Sequence, residues 1–136
     1  MNSQQLQELV AEFERAEHEV MGFKEGEYTG SANRLRNFER VADMLGLKAS
    51  QVALAYLLKH IDSISYQVMS GKYTWAMVIE GNREGLKQRI VDAVNYLHLM
   101  AACLEKEEAA ARATGEAERS DQDAIEGRLL GEDHQV

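Results

Sequence analysis

Arg89, Asp92 and Tyr96 recur at i, i+3 and i+7 along the stretch QRIVDAVNYLHLMAACL (residues 88–104), and Asn95 stands three residues beyond Asp92. A helix brings such positions to one face, so a guanidinium, a carboxylate, an amide and a phenol can converge there. The set suits a polar, anionic guest: the guanidinium forks onto phosphate, the amide reads a base edge or a ribose, and the ring stacks. Val91, Leu99 and Cys103 flank the same face with apolar groups. Charge among buried neighbours is costly unless paired, so these residues either satisfy one another or hold a ligand. Lys59, His60 and Asp62 form a comparable polar island in a second apolar run, and two antiparallel neighbouring helices would bring the islands together. The plainer reading makes Lys59 and Asp62 an intrahelical ion pair and His60 a satisfied polar residue.

Three further groups could do chemistry. Arg34, Arg36, Asn37 and Arg40 form the most basic patch of an acidic chain, suited to phosphate or carboxylate, or to pairing with an acidic helix. Tyr28, with Lys24 and Thr29, lies in the glycine-flanked GFKEGEYTG, and Trp75 is the only tryptophan. Glu14 and Glu17 sit side by side on a helix, the carboxylate spacing used to hold magnesium, although such a run is equally a solvated face.

The elements that must position these residues read as helices. Proline is absent and alternating β-branched runs are scarce. The first helix is expected over residues 3–21, with Leu6, Leu9, Val10, Phe13, Ala16 and Val20 facing inward and Glu8, Glu12, Glu14, Glu17 and Glu19 outward. A loop follows over residues 22–30. The second helix spans residues 31–45, capped by Ser31, burying Leu35, Phe38, Val41, Ala42 and Leu45, and ending at a left-handed Gly46 with Leu47 packing back. The third, residues 49–69, is apolar nearly all round from Val52 to Leu58 and must be covered on more than one side, by a bundle or a second subunit. Residues 71–84 form a hairpin arm or ordered loop. The fourth helix carries Leu86, Ile90, Val94, Leu97, Ala101 and Leu104 on one face and runs on to Gly115. The expectation is an all-α, four-helix bundle-like domain over residues 1–115, completed by dimerisation, with an acidic disordered tail over residues 116–136.

With 136 residues the chain makes one domain, and a net charge of −8 argues against an unspecific binder of nucleic-acid polymers or anionic membranes. The single Cys103 fits a small core residue of a reducing, cytoplasmic protein, and no run is apolar enough to span a bilayer.

Tyr28 in its glycine-flanked loop, Asn37-Phe38, Lys59-His60-Ile61-Asp62 with Ile64, and Arg89-Ile90-Val91-Asp92 with Asn95-Tyr96-Leu97 together resemble small helical phage proteins of the nucleotide-modification-associated type. The resemblance covers residues 28–105 and rests most on the pairing of the Lys59 and Arg89 motifs. It implies an all-helical phage or prophage protein that handles nucleotides, distantly similar to the MazG-like pyrophosphatases. Some phage proteins of comparable size sequester the cyclic nucleotide signals of bacterial immunity. The MazG-like enzymes hold magnesium with an ExxE pair on one helix and an acidic pair ending in Asp on another. Asp92 matches that aspartate, but Arg89 stands where the metal-binding glutamate belongs. A cation has replaced a ligand of a cation. The expectation is therefore a non-hydrolysing nucleotide binder using Tyr28, Arg34, Arg36, Asn37, Lys59, His60, Asp62, Trp75, Arg89, Asp92, Asn95 and Tyr96, assembled as a homo-oligomer without a metal. The alternatives are a magnesium-dependent pyrophosphatase using Glu14, Glu17, Asp62 and Asp92, and a helix-mediated interaction protein with no ligand.

Overall fold

The computed structural model describes residues 1–27 and 33–132. The chain is all-α apart from one short hairpin: α1 (Ser3–Glu27), α2 (Arg36–Leu45), α3 (Ala49–Ser70), β1 (Val78–Ile79), β2 (Arg83–Glu84) and α4 (Leu86–Glu132). It divides into two compact units at Cys103/Leu104.

Helix boundaries follow local chemistry. α1 continues six residues past the expected end at Met21, through Gly22, so the expected loop begins at the earliest beyond Glu27. Tyr28, Thr29 and Ser31 lie outside the described residues. α2 starts at Arg36 instead of residue 31, and its start is organised by Asn33. The Asn33 Oδ1 accepts from the Leu35 amide (3.0 Å) and its Nδ2 donates to Glu39 (2.9 Å), an Asx turn that satisfies amides the first turn cannot. α2 ends as expected at Gly46, whose φ of 66° and ψ of 33° suit glycine, and the Leu47 amide reaches back to the Ala42 carbonyl (2.9 Å). The Leu47 side chain, however, stays exposed. The start of α3 is fixed by Gln51, whose side chain accepts from the Lys48 amide (2.8 Å).

Residues 71–84 form the hairpin arm, with Val78 opposite Glu84 and Ile79 opposite Arg83. Gly81 (φ 80°) and Asn82 (φ 59°) make the turn, as two adjacent left-handed residues do in tight hairpins. The arm closes onto the first turn of α4 through Gly85: its amide donates to Met77 O (3.0 Å), and the Leu86 amide donates to Thr74 O (3.0 Å). A Cβ at Gly85 would stand 2.0 Å from the Ala76 carbonyl oxygen. Only glycine lets the backbones approach this closely.

The core lies where α2, α3 and α4 meet: Phe38, Ala42, Val52, Ala53 and Cys103, with Leu35, Val41, Ala49, Tyr96, Leu99 and Met100 packed around them. On α4 the expected stripe is not the one that is buried deepest. Of the expected stripe Leu86 is buried and Ile90 and Val94 partly so, while Leu97, Ala101 and Leu104 are exposed; Val91, Asp92, Ala93, Asn95 and Cys103 are buried as well. Burial of this polar face is compatible with partners for Asp92, on Gln88, and for the Asn95 Nδ2, on the Glu17 carbonyl. On α1, Leu6 and Val10 are half exposed, so the stripe meets its neighbours mainly through Leu9, Phe13, Ala16 and Val20.

In the second unit the described residues, 104–132, are helical throughout. The helix passes Gly115, where an end was expected, and occupies most of the segment read as a disordered tail. Local pairs support it: Arg112 with Glu108 (3.1 Å) and Gln122 with Glu126 (3.3 Å), both at i, i+4. Among the described residues no single helix is long and apolar enough to cross a membrane.

Gly85→Ala is expected to lose about 1–3 kcal/mol of stability through the clash with Ala76, read as a lower thermal midpoint by circular dichroism. Gly127→Ala, where an added Cβ meets nothing within 4 Å, leaves the midpoint unchanged or raises it.

Candidate functional site

The polar residues of α4 are distributed to three different partners. Arg89 meets Glu84 of β2 at 3.7 Å. Asp92, 4% exposed, accepts from Gln88 one turn earlier (2.9 Å) and lines a groove with Glu19, Glu84 and Gln88. Asn95, 5% exposed, donates through Nδ2 to the main-chain carbonyl of Glu17 on α1 (3.3 Å). The Asn95 Oδ1 is buried and, among the described residues, meets no donor. Arg89, Asp92 and Asn95 therefore do not converge, because the hairpin and α1 each claim one of them.

The two polar islands meet at a single point. His60 stacks on Tyr96, centroids 5.0 Å apart at 29°. Lys59 and Asp62 remain exposed on α3. Trp75 is half exposed and leans on Phe13 of α1 (6.1 Å), whose other neighbour is the Lys87 ammonium; Lys87 also pairs with Glu12. Arg36 is exposed.

Four of the candidate residues do come together. Arg34, Asn37, Asn95 and Tyr96 line one cavity of about 420 Å³ between the C-terminal part of α1, α2, α3 and α4. Arg40, Phe38 and Tyr56 complete its chemistry, and Met21, Val41, Met44 and Leu99 its apolar wall. Its aromatic side is continuous: Phe38, Tyr56 and Tyr96 lie pairwise 5.8, 6.3 and 6.0 Å apart in tilted and edge-on arrangements. Arg34 is anchored by donating to the Met21 carbonyl (3.1 Å). The Arg40 guanidinium has no ion pair among the described residues. In a chain of net charge −8, no carboxylate lines this cavity among the described residues. The volume is within the range of small-molecule sites, and the lining offers two cations, two amides and a π-face. Tyr56 was not among the sequence candidates for the site, and Arg40 was named within the basic patch but not in the expected binding set. The i, i+3, i+7 recurrence of Asn37, Arg40 and Met44 on α2 is the signal that points to this face.

The alternative carboxylate set is dispersed. Glu14 and Glu17 line a groove with His18 and His98, Asp92 lines another, and Asp62 is exposed. Among the described residues no three His, Cys, Asp or Glu side chains gather closely enough to hold a metal ion.

Replacing Asn95 by Asp turns the donor facing the Glu17 carbonyl into an acceptor and buries a charge. Asn95→Asp is expected to lose about 1–3 kcal/mol or more, measured as a lower denaturant midpoint at neutral pH.

No family model matches the chain, and neither a curated protein nor a solved structure does, so the reading of the site stands on its own geometry.

Proposed function

We propose that the protein binds a nucleotide in the cavity bounded by Arg34, Arg40 and the Phe38–Tyr56–Tyr96 wall, and holds it without hydrolysing it. The observation that carries the proposal is that, in an acidic chain, the described lining of this cavity sets Arg34 and Arg40 beside a continuous aromatic wall and includes no carboxylate. Arginine takes phosphate through charge-assisted forked hydrogen bonds and needs no bridging metal. The tyrosines and Phe38 supply surface for a base, and Asn37 and Asn95 supply amides for its edge or for ribose. Hydrolysis by the metal route requires clustered carboxylates beside the phosphates. Here Glu14, Glu17, Asp62 and Asp92 line other grooves or are exposed. Joined to the resemblance carried by the Lys59 and Arg89 motifs, this makes the protein a phage-encoded sequestering agent for a nucleotide signal of host immunity, cyclic nucleotides among them.

Titration calorimetry of the full chain against nucleoside triphosphates, deoxynucleoside triphosphates, cyclic oligonucleotides and cyclic ADP-ribose isomers, each with and without magnesium, tests this. One nucleotide class is expected to bind with the same affinity in both conditions and to be recovered intact after heat release. Arg40→Ala should weaken binding by at least about tenfold, the equivalent of one lost charge-assisted contact. Arg89→Ala, whose side chain meets Glu84, should leave it unchanged. Absence of binding, or an Arg40→Ala protein that binds normally, overturns the assignment. Magnesium-dependent appearance of hydrolysed product makes the protein a pyrophosphatase instead.

A further inference from the structure

Leu54, Leu58, Ile61 and Val68 of α3 follow one another at spacings of four, three and seven, with Gln51 and Ser65 at the remaining positions of the same 4–3 repeat. That is the seam of a coiled coil, in which apolar side chains recur every 3.5 residues on average. Yet all four apolar residues are 41–56% exposed. The opposite side of α3, through Val52, Ala53 and Leu57, already packs in the protein interior. With Met69 at its end, the seam exposes on the order of 500 Å² of apolar side chain, toward the upper end of what a typical monomer leaves bare.

We infer that this face is where two copies of the chain associate, α3 against α3 and antiparallel. Charge decides the orientation. Lys59 and Asp62 both lie on one flank of the seam, both are exposed, and neither has an ion pair among the described residues. A parallel pair carries this flank to the opposite side of the seam in the second copy, so Lys59 and Asp62 of the two copies do not meet. An antiparallel pair with its two-fold axis near position 60 sets each Lys59 beside Asp62 of the second copy, and packs Leu58 against Ile61 of that copy. The two Lys–Asp pairs then flank a closed apolar layer, and the same surface serves both partners, as two-fold symmetry requires. Another protein of unlike sequence would have to match this seam and its charge pattern; the chain itself already does.

Sedimentation equilibrium of the full chain reads the outcome. A dimer is expected, and Leu58→Glu with Ile61→Glu should make it a monomer whose far-ultraviolet helix signal is retained. Because those two changes could also weaken folding, charge reversal gives the independent reading, with substitutions at exposed positions only. Lys59→Glu and Asp62→Lys alone should each raise the dimer dissociation constant by about tenfold or more, and the two together should restore it to within about threefold of the starting protein. A chain that stays monomeric at every concentration overturns the inference. So does a dimer indifferent to Leu58 and Ile61, or a pair of charge reversals that fails to restore. Uptake of the monomer by phosphatidylcholine vesicles would assign the seam to a membrane surface and likewise overturn it.

Discussion

The hydrogen bond from the Asn95 amide to the Glu17 carbonyl joins residues 78 positions apart and ties α1 to the most buried line of α4. Without it, α4 would carry an amide into the interior with nothing to receive it, and a buried unpaired donor costs about 1–3 kcal/mol. The bond leaves the C-terminal part of α1 beside the cavity, where Met21 lines the wall and its carbonyl holds Arg34. One polar contact thus fixes which face of α4 is buried, where α1 ends its path along it, and where the Arg34 side chain is anchored. The α1 carbonyl fixes the orientation of the Asn95 amide, so its oxygen is left as an acceptor beside the cavity.

Charge is sorted across the first unit in a way that composition does not reveal. The acidic outer face of α1 meets Lys87 through Glu12, and the hairpin supplies Glu84 to Arg89. Each such pair is partly exposed and contributes little to stability by itself. Their consequence lies in what they leave over. Among the described residues, Arg34 and Arg40 line a space whose other walls are amides, aromatics and apolar groups. A cation beside low-dielectric walls acts on an anionic guest more strongly than the same cation in open solvent.

How much of this was legible depends on the range of the interaction concerned. α3 and its ends, and the left-handed Gly46, were readable because each rests on chemistry within a few residues: periodicity and a glycine that accepts a positive φ. The start of α2 was misplaced because Ser31 is a good cap by type, whereas the helix is preceded by an Asx turn at Asn33 that Glu39 reinforces from within α2. The deep face of α4 was misread because both faces are apolar. The choice is made by α1, nearly eighty residues away. Arg89 looked like the anion contact because its spacing to Asp92 is correct, but capture by Glu84 depends on the hairpin, whose closure hangs on the space at Gly85. Phe38 passed as a core residue only, because a side chain can be buried and still form the wall of a cavity.

α3 explains why a helix apolar nearly all round fits so small a core. Tyr56 and His60, toward α2 and α4, build and back the aromatic wall through their contacts with Phe38 and Tyr96. Leu54, Leu58 and Ile61 point the other way and are exposed. A helical rotation of 100° per residue keeps these two sets on different sides over the whole length of α3. The two proposed sites, association on one side of α3 and ligand capture on the other, therefore share a rigid element but no side chain. Two such sites influence each other only if α3 has two arrangements that both of them bias. A helix held by a glycine cap at Gly71, a Gln51 cap at its start and an interdigitated aromatic cluster along one side has little freedom to provide them. Ligand affinity and self-association, as proposed, are accordingly independent properties of one helix, each set by the residues on its own face.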